Sequence, residues 1–462
     1  MTIPGTDSPA LRHPEASANE GSLPPPPPPP RHPERSEGSR RFARLHQWTA
    51  IFAAYFSAQG ATQAAGLLAG LLLVNFLPVE EFALYALAAS VLSFFTFATD
   101  LGSTSSLLYF SHRAAKEGEA FEPYVAAVIS LRRLAFLLGA FAVVAAFPVV
   151  AIRKGFGGWE VGLATAAVLA AVWFQIDGGI RVLVLRLANR YGPSYRADLA
   201  GGLARLVLAA AMVASGLLFG WLAMATTAAG VALMALVARC AAQLPSPPPG
   251  GVARERRAVL RYLLPTLPGA AYYSIQGPLG IWLATTFGST RTMAETGALG
   301  RLGLVLSLFS GLTGIVFLPR LARITDERLY LRRYLQFGGF LLLVGLGLFA
   351  VAWAFPDLLL LLIGDQYAGL HRELLLVAAG AGVGLLGGYS VGVNNSRSWT
   401  KLTGAAVVAL VVVQAVLVAI LPLGTTAGVL AFGLLSGLFG TLGQFLITGF
   451  GFWRPTWVQW RT

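Results

Sequence analysis

Few residues in this chain can do polar chemistry where the sequence around them is apolar. Six are ionisable: Asp100, Asp177, Arg181, Arg205, Glu295 and Arg301. Three are amides: Gln59, Gln63 and Gln276. All nine lie within, or near the ends of, long hydrophobic runs. A charge in such a run faces a cavity or a partner, because hydrocarbon solvates neither sign. Asp177 and Arg181 are four residues apart, so on a helix they share one face and can pair. Arg181, Arg186 and Arg205 can also snorkel toward the nearer membrane surface. Arg301 stands nine residues past Thr292, about 13 Å along a helix, which is too deep for easy snorkelling. It either pairs with an acid such as Asp100 on a facing lobe, or lines a cleft and receives paired anionic oxygens. Asp100 reads as a helix-breaking residue or as a ligand contact.

These residues must be positioned by membrane helices. Hydrophobic residues make up 56% of the 462 and charged residues 12%. The mean hydropathy is +0.67. Apolar runs of about 20 residues recur along the chain, which is the signature of transmembrane helices. The runs lack the period-2 alternation of barrel strands. The expected fold is therefore all-α and polytopic. The 53 glycines suit helices that pack closely in lipid. A single cysteine, Cys240, excludes an intrachain disulfide. The five histidines show no metal-ligand spacing, so no metal and no cofactor are expected; a coupling ion stays open.

The chain divides at a polar stretch, residues 244–257, LPSPPPGGVARERR. Its prolines and glycines break helices and read as a linker. Six runs precede it: Gln47–Phe76, Glu81–Phe110, Glu122–Ile152, Trp159–Ala188, Ser194–Phe219 and Trp221–Gln243. Six follow: Ala258–Phe287, Thr292–Leu318, Leu329–Phe355, Leu370–Val393, Ser398–Leu421 and Thr426–Trp453. This predicts about 12 transmembrane helices in two six-helix lobes, 47–243 and 258–453, around a central cleft. Residues 1–46 are polar and read as a disordered tail, with seven prolines from Pro24 to Pro30. No cleavable signal peptide is expected, and the first span would act as an uncleaved anchor.

Charge orients the spans. With the N-terminus inside, all but five of the 34 Lys and Arg residues fall on inner segments or nearby helix ends. The exceptions are Arg153, Lys154, Arg291, Arg372 and the mid-span Arg301. This satisfies the positive-inside rule, with both termini, the 454–462 tail and the linker cytoplasmic. It also accounts for the net charge of +13 without nucleic acid. The expected partner of the basic face is anionic membrane lipid. Tryptophans such as Trp48, Trp159, Trp221, Trp399 and Trp453 stand near span ends, as interfacial residues do.

The halves read as a parallel repeat. YALAAS at Tyr85 and GALGRL at Gly297 sit in the second span of each lobe. Asn189 and Asn394 begin polar turns after the fourth. The first and seventh spans are both irregular. Gly60, Gly66 and Gly70 accompany Gln59 and Gln63 in one. Pro265, Pro268, Gly277 and Pro278 accompany Gln276 in the other. Broken helices at matching positions predict a gate, a hinge or a binding site; close packing by small residues is the alternative.

The stretch from Leu77 to Ser90, LPVEEFALYALAAS, followed by ATDLG at Ala98, resembles the first loop and second helix of polysaccharide-biosynthesis flippases. The stretch FPDLLLLLIGDQYA at Phe355 resembles the outer segment before their tenth helix. These are the Wzx-like, lipid-linked oligosaccharide branch of the multidrug/oligosaccharidyl-lipid/polysaccharide exporter superfamily. The resemblance implies a bacterial inner-membrane flippase that carries undecaprenyl-pyrophosphate-linked oligosaccharide from the inner to the outer leaflet by alternating access. O-antigen, capsule and exopolysaccharide units are the substrates it implies. A polysaccharide polymerase and glycosyltransferases are the protein partners it suggests. Substrate contacts would come from Arg301, Gln59, Gln63, Gln276, Asp100, Asp177, Arg181 and Arg205.

Two other transporter classes of that superfamily compete. A drug or cation antiporter would place an acid in the first or seventh span, and here neither run has one. A lipid II flippase usually has fourteen spans rather than twelve. A membrane glycosyltransferase, polymerase or ligase would need an acid, His or metal site on a loop. The longest outer connection, 356–372, is mostly apolar, and no nucleophile–base constellation appears, so an enzyme is not expected.

Overall fold

A computed structural model describes residues 60–118, 120–242, 252–264, 267–313, 317–318, 321, 324, 326–397 and 399–454. Among these the fold is all-α, with no strand. In order, the helices are α1 (Gly60–Phe76), α2 (Val79–Asp100), α3 (Ser103–Glu117), α4 (Glu122–Arg153) and α5 (Gly158–Leu187). Next come α6 (Tyr191–Ala214), α7 (Gly220–Ala241), α8 (Ala253–Leu263), α9 (Leu267–Gln276), α10 (Leu279–Phe287) and α11 (Thr290–Leu312). The last are α12 (Glu327–Ala354), α13 (Pro356–Leu361), α14 (His371–Ser396), α15 (Thr403–Ile420) and α16 (Thr426–Trp453).

Among the described residues, nine helical stretches are long and apolar enough to cross a membrane, with α2 and α3 counted together. The apolar α1, the α9–α10 pair and α11 complete twelve crossings in two lobes of six. Short caps set the helix starts. Asp326 accepts from the Leu329 N–H at 2.7 Å, and Thr425 accepts from the Gly428 N–H at 3.1 Å. Glu80 and Glu81 fill the first turn of α2 after Pro78, where carboxylates favour the helix dipole.

Two of the expected spans are interrupted. The run 81–110 breaks at Leu101 and Gly102, both left-handed with φ of 41° and 83°. The run expected to begin at Ala258 is in three pieces. Its first piece, α8, is amphipathic and packs Val259 and Leu263 against Leu107, Phe110, Val125 and Val128 of α3 and α4. Gly277 and Pro278 separate α9 from α10, as their helix-breaking chemistry predicts.

Packing differs between the two ends of the lobes. The largest buried cluster unites both lobes at the end away from the linker. It runs from Leu73, Phe82 and Val168 to Ala284, Ala294, Leu360 and Tyr367. The other buried clusters are smaller: Tyr330, Tyr334, Tyr389 and Trp399 form one within the second lobe, Val182 and Met234 one within the first, and Ile180 belongs to a third that includes Val259 and Leu263 of α8. The shared core closes the lobes together at the end away from the linker. Polar bonds reinforce that closure. Lys154 Nζ donates to the Gly288 carbonyl at 2.8 Å. Asn75 Nδ2 donates to the Leu362 carbonyl at 2.8 Å, and Gln366 Nε2 donates to the Val74 carbonyl at 2.8 Å.

Small residues permit close helix approach within the first lobe. A Cβ on Gly201 would lie 2.8 Å from the Gly230 carbonyl oxygen, and a Cβ on Gly230 would lie 2.7 Å from that of Gly201. Helices α6 and α7 therefore touch backbone to backbone. Without a hydrophobic force between helices in lipid, such contact is a main source of cohesion. We expect Gly201→Val to destabilise the protein by about 1–3 kcal/mol through overpacking. Gly347→Ala on α12, where a Cβ meets nothing within 4 Å, should be neutral or slightly stabilising. Thermal unfolding in detergent checks both; equal midpoints would mean that α6 and α7 do not need this contact.

Candidate functional site

Four helices of the first lobe and one of the second meet around Tyr85 and its two arginines. Tyr85 is 1% exposed, on α2. Its hydroxyl receives Nη2 of Arg205 from α6 at 2.7 Å. It also receives Nη2 of Arg301 from α11 at 3.1 Å. The Arg301 guanidinium carbon sits 5.3 Å from the Tyr85 ring centroid, within cation–π range. One phenol thus joins cations from both lobes.

Glycines make room for both arginine stems. A Cβ on Gly70 of α1 would lie 3.3 Å from Cδ of Arg301, and a Cβ on Gly230 of α7 would lie 3.0 Å from Cβ of Arg205. Both arginines are half-buried. With α11 starting at Thr290, Arg301 lies about 16 Å along its helix. Among the described residues neither arginine forms an ion pair, and Nε of Arg205 is buried without a hydrogen-bond partner. Two unneutralised cations at a lobe junction can receive an anion.

The acids of the spans are occupied elsewhere. The alternative in which Asp100 pairs with Arg301 does not hold. Asp100 Oδ1 binds Arg132 of α4 and accepts from Ser103 Oγ at 2.8 Å, Thr104 Oγ1 at 2.9 Å and the Thr104 N–H at 3.1 Å. Arg132 also donates to Ser103 Oγ at 2.6 Å. Asp100 thus closes the α2–α3 break, because the left-handed Leu101–Gly102 turn swings the first turn of α3 back onto it. Asp177 and Arg181 pair at 2.8 Å as their spacing predicts, and Arg181 also donates to the Ala242 carbonyl at 2.6 Å. Asp198 pairs with Arg186 at 2.6 Å. Glu295 pairs with Arg291 at 2.8 Å and receives Thr426 Oγ1 at 2.5 Å.

The amides divide. Gln63 is half-buried on α1, near where α1 meets α6 at Ala65 and Gly202. Gln276 lies at the end of α9 and exchanges hydrogen bonds with Gln414 of α15 at 2.9 and 3.3 Å. Gln276 also lines a separate cavity of about 570 Å³ within the second lobe. Ser436, Thr441 and Gln444 also line it. Gly277 and Pro278 mark the helix break beside that cavity. Gln59 and Pro265 lie outside the described residues, as does the side chain of Pro268.

Sequence reasoning missed Tyr85 as a ligand. It appeared only as the start of a repeat motif. A tyrosine in an alanine- and leucine-rich span does carry a signal, since a buried phenol needs a partner. Arg132, assigned to an inner segment, is 8% exposed and gave none. Among the described residues no group of His, Cys, Asp and Glu could hold a metal ion.

The architecture is shared with known transporters. A multidrug resistance MATE family transporter of the MOP superfamily, in its inward-facing conformation, superposes with a TM-score of 0.62 at 18% identity, over 84% of this chain and 95% of that one. The lipid II flippase MurJ, inward closed, gives 0.64 at 12% identity, over 86% and 87%. The outward-facing MATE conformation gives 0.57 at 16% identity, over 85% and 93%. The chain shares its fold with these solved structures. These neighbours are transporters and flippases rather than enzymes. No protein-family model and no curated relative matches the sequence.

The Asp100–Arg132 pair generates a test. We expect Asp100→Asn and Arg132→Met each to destabilise the protein, and the double variant to be less harmful than their sum. A coupling of about 1–3 kcal/mol in thermal unfolding is expected for a contact in one hydrogen-bonded network. Additive losses would mean that the pair does not hold the α2–α3 break.

Proposed function

We propose that this protein is a flippase for a polyprenyl-pyrophosphate-linked oligosaccharide in a bacterial inner membrane. The observation that carries the reading is the convergence of Arg205 and Arg301 on Tyr85, with no acid beside them among the described residues. A sugar chain and a pyrophosphate cannot cross hydrocarbon cheaply, since unpaired polar groups cost several kcal/mol each. A guanidinium pair offers forked donors to phosphate oxygens, and the prenyl tail can stay in lipid. The neighbouring fold supports movement of the head group by rocking of two lobes. The resemblance at 77–102 and 355–368 supports an oligosaccharide-lipid substrate. A cation antiporter is less well supported, because Asp100, Asp177, Asp198 and Glu295 are each tied to an arginine.

In this reading the linker end is cytoplasmic and the cleft is open to the inside. Arg301 and Arg205 bind the pyrophosphate. Gln63 contacts the head group, and the Gly277–Pro278 break acts as the hinge. A polymerase and glycosyltransferases are the proposed protein partners.

Flipping of a fluorescent polyprenyl-pyrophosphate oligosaccharide in proteoliposomes tests the substrate. Arg301→Ala should lower the rate by about tenfold to 100-fold, the range for losing a hydrogen bond to a charged group. Arg301→Lys should retain part of the rate. A wild-type rate in folded Arg301→Ala removes this residue from transport. Orientation has its own test. A Ser246→Cys variant in a Cys240→Ser background should resist an impermeant thiol reagent added to intact cells. Labelling from outside would reverse the proposed topology.

A further inference from the structure

We infer that α8 is an interfacial helix that binds the phosphate headgroups of anionic phospholipid. Its packed face is fully used. Val259 and Leu263 are buried on α3 and α4, and Tyr262 stacks on Tyr109 with centroids 4.9 Å apart. The opposite face is unpartnered and has a definite pattern. Leu260 is 47% exposed and Leu264 is 68% exposed. Four residues apart, they form one apolar stripe. Arg254, Arg257 and Arg261 are exposed along one edge of that stripe, and Arg256 is exposed on the other. At about 100° per residue the three arginines fall within one narrow strip. They line a shallow cavity of about 430 Å³ together with Ala253 and Ala258. Among the described residues none of the three forms an ion pair.

Leucines between flanking arginines match a membrane surface on both counts. The apolar stripe enters the acyl boundary while the guanidinium groups reach the phosphate layer. A soluble anion would use the arginines and leave the leucines without a role. Tyr109, 48% exposed, places an aromatic ring at the same level, where interfacial tyrosines stand. The first lobe would then be tied to lipid charge at its linker end, whatever head group the cleft carries.

The test uses the full chain in nanodiscs of phosphatidylcholine, with and without phosphatidylglycerol. Lipid retained on the extracted protein is read by native mass spectrometry. The R254Q/R257Q/R261Q variant should bind phosphatidylglycerol about tenfold to 100-fold more weakly, since each arginine near the surface contributes separately. R328Q/R332Q/R333Q removes the same charge from exposed positions on α12 and should weaken binding clearly less than the α8 variant does. L260S/L264S should also weaken retention, and inorganic phosphate should not compete. Wild-type retention by the arginine variant overturns the inference, as does an equal loss in the α12 control. Competition by inorganic phosphate with unchanged L260S/L264S overturns it in favour of a soluble-anion site. If the triple variant melts early in neutral discs, Arg257→Gln alone carries the test, with about a fivefold loss expected.

Discussion

Two guanidinium groups from opposite lobes share one phenol hydroxyl and no carboxylate. A central cation costs at least about 2.5 kcal/mol on insertion scales when hydrocarbon surrounds it. A phenol oxygen and a ring face offset part of that cost. The remaining donors need water or an anion. The surroundings of Tyr85 must therefore be reachable from one side of the membrane. Tyr85 itself lies in the core shared by the two lobes, with the half-buried Arg205 and Arg301 at its hydroxyl.

The same requirement explains where the acids went. Among the described residues, Asp100, Asp177, Asp198 and Glu295 each pair with an arginine on their own or an adjacent helix, and Glu81 accepts from the Gly220 N–H, so none of these competes for Arg205 or Arg301. Asp100 is the clearest case. A carboxylate free to swing toward the cleft would neutralise a binding cation. Held by Arg132, Ser103 and Thr104, it instead fixes a helix break. At the far end, Lys154 and Asn75 bond to backbone carbonyls of the other lobe rather than to charges. Such neutral acceptors hold less strongly than a buried ion pair whose partner must stay in place.

The fold was legible because lipid leaves few choices. Runs of about 20 apolar residues must be helices, and a Pro- and Gly-rich polar stretch must separate them. The breaks were partly legible. Gly277 and Pro278 announce the α9–α10 break, whereas the Leu101 break depends on a left-handed leucine that no propensity favours. Local pairing was legible where the partners share a helix, as with Asp177 and Arg181. Pairing between helices was not. Arg132 and Asp100 are 32 residues apart, and Gln276 and Gln414 are 138 apart. Nothing in either local sequence names the other, since the crossing geometry decides which faces meet. Arg301 stands out in the sequence because depth alone makes it costly; Tyr85 does not, because an uncharged phenol costs much less.

The seventh crossing shows how the two lobes divide their work. Above its break, Trp282 of α10 donates to Ser90 Oγ of α2 at 3.2 Å and packs edge-on against Phe94 at 5.0 Å. Below it, Gln276 of α9 turns to Gln414 inside its own lobe. Pro278 has no N–H to give, so the helix ladder is already interrupted between these two commitments. Rotating one half against the other then breaks few backbone bonds. The first crossing has glycines but no proline, and Gly70 serves to admit the Arg301 stem. The two irregular spans therefore differ: one is interrupted at Gly277 and Pro278, and the other makes space for a cation from the opposite lobe.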